Sequence, residues 1–244
     1  MISLERRGGR PLRIGHRGAP ALAPENTLRS FRAAVEVGID LVEFDVIALE
    51  GGELVVAHSA TEVVPETPTL EETLRFFVDE ATDVGVHLDL KLTRREGDVI
   101  DALRRLDLSS RSFVSSFYVS TARAIAAHDG DIRTGITVPR SVFGISEQGR
   151  GALVARSGLW ALRRVTPPLI RPLLALTRAS AVVIHHSVIT AASVRAAHAR
   201  GAAVIAWTVD EPDELARVDE AGVDAVVTND PGIFVSHFVS TLET

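Results

Sequence analysis

The chain has 244 residues, 46% of them hydrophobic, and carries 26 Lys and Arg against 32 Asp and Glu for a formal charge of -6. That length and apolar content suffice for one large core, and the acidic balance argues against nucleic acid as a partner. There is no cysteine, which excludes disulfides and thiolate ligands, so any metal must be held by oxygen or nitrogen. Met1 to Arg13 lacks the apolar run of a secretory signal, and no uncharged stretch reaches the roughly 18 residues of a membrane span; a cytoplasmic location is expected.

In chain order, Pro11 to Gly15 reads as a short strand that leaves His16 and Arg17 at its end, with Gly18 as a flexible exit. Pro24-Glu25-Asn26-Thr27 precedes the periodic apolar residues Leu28, Phe31, Ala34 and Val35, which predicts a helix capped by Asn26 or Thr27 and stopped by Gly38. Leu41 to Val46 alternates with period two, so Glu43 and Asp45 share one face of a strand and Val42, Phe44 and Val46 the other. A Gly51-Gly52 turn leads into Leu54 to His58, which ends on a second histidine. Further strands are expected at Val86 to Leu90, Phe113 to Ser116, Ile132 to Thr137, Ala181 to Ile184, Ala203 to Thr208 and Ala225 to Thr228. Helices are expected at Leu70 to Asp79, Gly97 to Leu106, Thr121 to Ala127, Thr190 to Arg200 and Pro212 to Ala221. This βα rhythm predicts a mostly parallel sheet, and the count suits a (β/α)₈ TIM barrel in one domain over residues 1–244. Active sites of such barrels collect at the C-terminal ends of the strands, where His16, Arg17, His58, Lys91 and Asn229 fall.

Gly15-His16-Arg17-Gly18, Pro24-Glu25-Asn26-Thr27, Glu43-x-Asp45 and His58, in that order and spacing, resemble the signature of the glycerophosphodiester phosphodiesterase family. Leu88-Asp89-Leu90-Lys91 is similar to that family's carboxylate-x-Lys strand, Trp207-Thr208-Val209 to its late Trp-Thr strand, and Thr228-Asn229-Asp230-Pro231 to its closing loop. The resemblance spans nearly the whole chain and implies the same barrel.

The chemistry agrees. Glu43, Asp45 and Asp89 would point into one barrel mouth, where three anions repel unless protonated or bridged by a cation. Oxygen ligands suit one divalent Mg²⁺, Ca²⁺ or Mn²⁺ ion, without choosing among them. Arg17 and Lys91 are candidates for phosphate oxygens, and Trp207 and Asn229 for further substrate contacts. Histidine is the side chain whose ordinary pKa lies near neutrality, so His16 and His58 make a candidate acid/base pair for hydrolysis of a phosphodiester. The resemblance implies attack on phosphorus by an activated hydroxyl, giving glycerol 3-phosphate and an alcohol.

Three departures from the family pattern concern the site. Ser59 follows His58 where Asp is usual, Asp89 stands where Glu is commoner, and only Ser59 to Thr67 separates His58 from Pro68-Thr69-Leu70, so an insertion is trimmed and the mouth is expected to be open. His87 is read as facing the helices, His185 and His186 as facing opposite ways with one able to reach the mouth, and His128, His198 and His237 as surface residues. Ser115 and Ser116 are candidates for lining the mouth. The segment Arg140 to Ala179 interleaves arginine with leucine and Trp160 around Pro167, Pro168 and Pro172. A barrel helix plus a long loop is expected there; the alternative is peripheral membrane contact through residues 150–178, with lysophospholipids as substrates. A barrel that binds phosphodiesters without turnover is a further alternative.

Overall fold

A computed structural model describes residues 1–128, 130–138 and 152–234, with side chains from residue 158 onward in the last stretch. Its strands are β1 (Leu12–Gly15), β2 (Leu41–Ala48), β3 (Leu54–Val56), β4 (Gly85–Leu90), β5 (Ser112–Ser116), β6 (Arg133–Val138), β7 (Ala181–His185), β8 (Ala203–Trp207) and β9 (Ala225–Thr228). The helices are α1 (Leu28–Val37), α2 (Leu70–Asp79), α3 (Glu96–Arg105), α4 (Val119–His128), α5 (Ala152–Thr177), α6 (Ala191–His198) and α7 (Pro212–Glu220). Eight parallel strands, β1, β2 and β4 to β9, pair in a ring that closes where β1 meets both β2 and β9. This is the TIM barrel expected from the βα rhythm.

The expected strand ending on His58 differs in one respect. β3 stops at Val56 and runs antiparallel to the end of β2, outside the barrel ring. His58 therefore sits on the connection beyond the hairpin, and Ser59 to Thr67 hold only a short 3-10 turn at Ala60–Glu62.

Alternation along the strands builds two concentric layers. Val42, Phe44 and Val46 face outward, where Phe44 packs 5.5 Å from the Phe31 ring on α1 and 5.9 Å from Phe77 on α2. A buried phenylalanine of this kind contributes roughly 2–3 kcal/mol through area removed from water. The inner face is filled low in the barrel by Leu12, Ile14, Leu41, Phe113, Val183 and Ile205. Gly135 makes room there, because a Cβ would lie 2.5 Å from the Phe113 ring. Above this apolar plug the same inward face turns polar, with Glu43, Asp45, His87, Asp89 and Ser115 all buried.

Helix starts follow their capping chemistry. Thr69 and Glu72 form a reciprocal capping box at α2, as do Thr190 and Ser193 at α6. The segment read as a helix plus a long loop holds one 26-residue helix, α5, which continues through Pro167, Pro168 and Pro172. Buried Leu159, Ile170 and Leu174 pack it into the same core as α6, and this tertiary contact offsets the backbone bonds that proline removes. Residues 140–151 of that segment, and His237, lie outside the described residues. No described helix is long and apolar enough to cross a membrane.

Candidate active site

A cavity of about 570 Å³ opens at the C-terminal ends of the barrel strands, with His16, Arg17, Glu43, Asp45, His58 and Lys91 among its lining. The turn after β1 supplies the first two. Arg17 has φ 48° and Gly18 φ 92°, and a Cβ on Gly18 would lie 2.3 Å from Ser30 Oγ, so only glycine lets the turn pack on α1. Ser30 Oγ donates to Arg17 O at 3.0 Å, and Arg17 N donates to Glu43 Oε2 at 2.8 Å. The turn is thus tied to both the helix and the second strand.

Asn26 and Thr27 divide their work. Thr27 is the cap of α1, accepting from Ser30 N, whereas Asn26 takes φ 56° and turns inward. Asn26 Nδ2 donates to Asp45 Oδ2 at 3.2 Å, and Asp45 N donates back to Asn26 Oδ1 at 3.3 Å. The Pro-Glu-Asn-Thr segment therefore starts the helix and holds a buried carboxylate.

Glu43, Asp45 and Asp89 have carboxylate oxygens within 4.8 Å of one another and are all buried. Burial, then the charges of Asp45 and Asp89, push the Glu43 carboxyl well above the usual range. Asp45 goes the other way: burial raises it, but the hydrogen bond from His58 and the charges of Lys91 and Arg17 outweigh that and hold it below the usual range. Lys91 Nζ lies 3.1 Å from Asp45 Oδ1 and also contacts Asp89 Oδ2. Desolvation would deprotonate it, yet the charges of Asp89 and Asp45 raise its pKa and keep it a cation. A carboxyl raised by burial and by two neighbouring carboxylates marks a place where a hard cation fits the donor set better than three free anions.

The two histidines are held differently. His16 Nδ1 lies 2.7 Å from Asn229 Oδ1, while Asn229 Nδ2 donates to Asp210 Oδ2 at 2.7 Å. The amide orientation makes Oδ1 an acceptor, so the proton sits on His16 Nδ1 and leaves Nε2 bare. Burial, aided by the charge of Arg17, lowers the His16 pKa against the raising effect of Asn229. His58 is less buried, and its Nδ1 lies 2.9 Å from Arg17 Nη2 and 3.2 Å from Asp45 Oδ2. Ser59, in the place of the family's Asp, donates to Glu62 Oε1 at 3.0 Å, and Asp45 Oδ2 accepts from His58 Nδ1 instead.

Opposite the charged wall stands an aromatic one. Trp207 meets Phe117 and His185 edge to face, with centroids 5.8 Å and 5.3 Å apart, and Lys91 Nζ lies 5.1 Å from the Phe117 centroid. His185 is the member of the His185-His186 pair that lines the cavity.

The predicted residues thus gather around one mouth, with Asn229 set behind His16 and not among the residues that line the cavity. The expectation that His87 faces the helices is overturned. His87 lies two residues before Asp89, so period two puts both on the inner face, where His87 is buried with Nε2 2.9 Å from Ser115 Oγ. Ser115 faces in with it, whereas Ser116 Oγ turns outward to donate to Leu90 O at 2.7 Å. His198 is not a bare surface residue, since its Nε2 lies 2.8 Å from Asp224 Oδ2. Sequence reasoning also passed over Asp210, whose position after Trp207-Thr208-Val209 was the available signal.

The sequence matches the glycerophosphoryl diester phosphodiesterase family over residues 16–94 and 151–233. The chain belongs to that family. A glycerophosphodiester phosphodiesterase of Caldanaerobacter subterraneus subsp. tengcongensis is 24% identical over 91% of this chain and 96% of its own. Among solved structures, a glycerophosphodiester phosphodiesterase from Parabacteroides distasonis aligns with TM-score 0.74 at 18% identity, covering 95% of this chain and 98% of that one. A phosphodiesterase of Oleispira antarctica, solved with the product sn-glycerol-3-phosphate, aligns with TM-score 0.70 at 22% identity over 94% of this chain and 97% of that one.

Proposed function

We propose that this chain hydrolyses glycerophosphodiesters to glycerol 3-phosphate and an alcohol, with one divalent ion, Mg²⁺, Ca²⁺ or Mn²⁺, held by Glu43, Asp45 and Asp89. The observation that carries the reading is the placement of two imidazoles and two cationic side chains around one buried group of three carboxylates. When bound, the ion supplies Lewis-acid stabilisation of charge on the phosphoryl group. Arg17 and Lys91 bind the phosphoryl oxygens, and Trp207 packs against the organic part of the substrate. His16, with its Nδ1 proton committed to Asn229, uses the bare Nε2 to take the proton of the attacking hydroxyl. With water as that hydroxyl, a P–O bond to its oxygen forms, the P–O bond to the alcohol breaks, and His58 gives the leaving oxygen its proton.

Release of glycerol 3-phosphate from glycerophosphocholine tests this, after chelation and then with each ion restored, with His16→Ala and Glu43→Ala as controls. Activity that returns with one ion and is lost in both variants is the expected result. Absence of turnover with every ion would sink it.

A second reading takes lysophospholipids at a membrane surface. Gln148 to Val209 contains eight arginines and no carboxylate. On α5, Trp160 is 59% and Leu169 58% exposed, and the Arg164 guanidinium lies 4.3 Å from the Trp160 ring centroid. Arg163 Nε donates at 2.7 Å to Ser187 O, just beyond β7, so this part of the helix stands at the mouth. An exposed Trp-Arg pair beside the entrance is the composition of an interfacial anchor.

A further inference from the structure

We propose that His87 and Ser115 form a relay that fixes the Asp89 carboxylate for the ion, which makes His87 a positioning residue of the active site. The inference rests on the metal reading above and concerns the place where this chain carries Asp for the longer Glu. A shorter carboxylate reaches less far into the mouth and must be held where it is.

The hydrogen-bond directions follow from proton counting. An ionised carboxylate only accepts, and Ser115 Oγ, 2.7 Å from Asp89 Oδ1, gives it the one hydroxyl proton. Ser115 Oγ is then an acceptor toward His87, so His87 Nε2, at 2.9 Å, is the donor. This sets the His87 tautomer and leaves its Nδ1 buried without a partner. The ring is kept in place by Phe113, with centroids 4.5 Å apart. An apolar side chain would fill the same space without an unpaired nitrogen, so the imidazole is explained by the proton it donates. With Ser115 on Oδ1 and Lys91 on Oδ2, Asp89 has one orientation.

The test is Mn²⁺ binding to the metal-freed protein by titration calorimetry, read beside thermal unfolding. Supporting partners of metal ligands are worth about tenfold to a hundredfold in affinity, and that loss is expected for both Ser115→Ala and His87→Leu. His87→Gln, whose amide can donate from a similar reach, is expected to bind within about threefold of wild type, on the same scale. The double variant is expected to be no weaker than Ser115→Ala alone, since both act through one chain of bonds. Wild-type affinity in Ser115→Ala or His87→Leu would overturn the relay, as would a His87→Gln no better than His87→Leu. If His87→Leu does not fold, Ser115→Ala and His87→Gln decide alone. A wild-type protein that binds no Mn²⁺ would overturn the metal reading and the relay together; one that binds it with no difference among variants overturns the relay only.

Discussion

His16 Nδ1 and Asn229 Oδ1 lie 2.7 Å apart although 213 residues separate them. They meet because β1 pairs with β9 to close the barrel, bringing His16 N within 2.8 Å of Thr228 O. Asp210 completes the arrangement by accepting from Asn229 N and Nδ2 at 2.8 Å and 2.7 Å.

If Asp210 acts by holding the Asn229 amide, Asp210→Ala lowers kcat by about tenfold, against the roughly 10²–10⁴ of a lost general base in His16→Ala. Asp210 also raises the His16 pKa through its charge. Its removal therefore lets His16 lose its proton at lower pH, and the ascending limb of the kcat/KM profile is expected to move to lower pH. Steady-state rates between pH 5 and pH 9, roughly the span over which histidine titrates, check both.

On the proposed metal reading, Glu43 ties stability to the ion. Its folded pKa is raised by burial and then by Asp45 and Asp89, so its share of stability is complete below the ordinary value of 4.5 and is lost as pH rises through the folded value. Glu43→Gln keeps the neutral form at every pH. In metal-free protein, Tm for this variant is expected to exceed wild type at pH 8, by about 2–4 °C for each kcal/mol relieved. The difference should vanish below pH 4.5, and the variant should no longer gain stability from added ion. Differential scanning fluorimetry with and without Mg²⁺ measures this.

Arg17 reaches Glu25 at 2.8 Å, Asp45 at 2.9 Å and His58 at 2.9 Å with separate nitrogens of one planar group. Lysine offers one point charge and no fork. Arg17→Lys is expected to raise KM for glycerophosphocholine about tenfold, the loss of some 1.4 kcal/mol of phosphate binding, and to lower kcat as His58 loses its neighbour. An unchanged KM would remove Arg17 from the phosphate site.

The exposed Trp160-Arg164 pair gives a prediction separable from the chemistry. Trp160→Ala combined with Arg164→Glu is expected to abolish co-sedimentation with phosphatidylglycerol vesicles and to lower turnover of lysophospholipid in those vesicles about tenfold or more, since interfacial binding combines apolar area with attraction to anionic lipid. Turnover of soluble glycerophosphocholine should be unchanged. Equal sedimentation of variant and wild type would discard the membrane contact.

What could be read in advance was local. Period two placed Glu43 and Asp45 on one face and Phe44 on the other, because alternation is a property of an extended backbone that any barrel inherits. The helix starts near Leu28 and Leu70 were legible in the same local way, while the choice of Thr27 over Asn26 as the cap came from the structure, where Asn26 turns to Asp45. The same alternation applies to His87, which lies two residues before Asp89 and so shares its inner face. Continuity of α5 through three prolines depended on what the helix packs against.

By itself, the sequence determined the barrel rhythm and the residue types at the mouth, since the strands and every helix but α5 are specified by spacing within a dozen residues. Only the tertiary structure decided that Asn229 stands behind His16 with Asp210 beside it, through closure of the ring, and that Asp89 lies across from Asp45 on the neighbouring strand, where burial and the charges of Asp45 and Asp89 raise the Glu43 carboxyl. Those relations depend on pairing between strands far apart in the sequence, which no local pattern encodes.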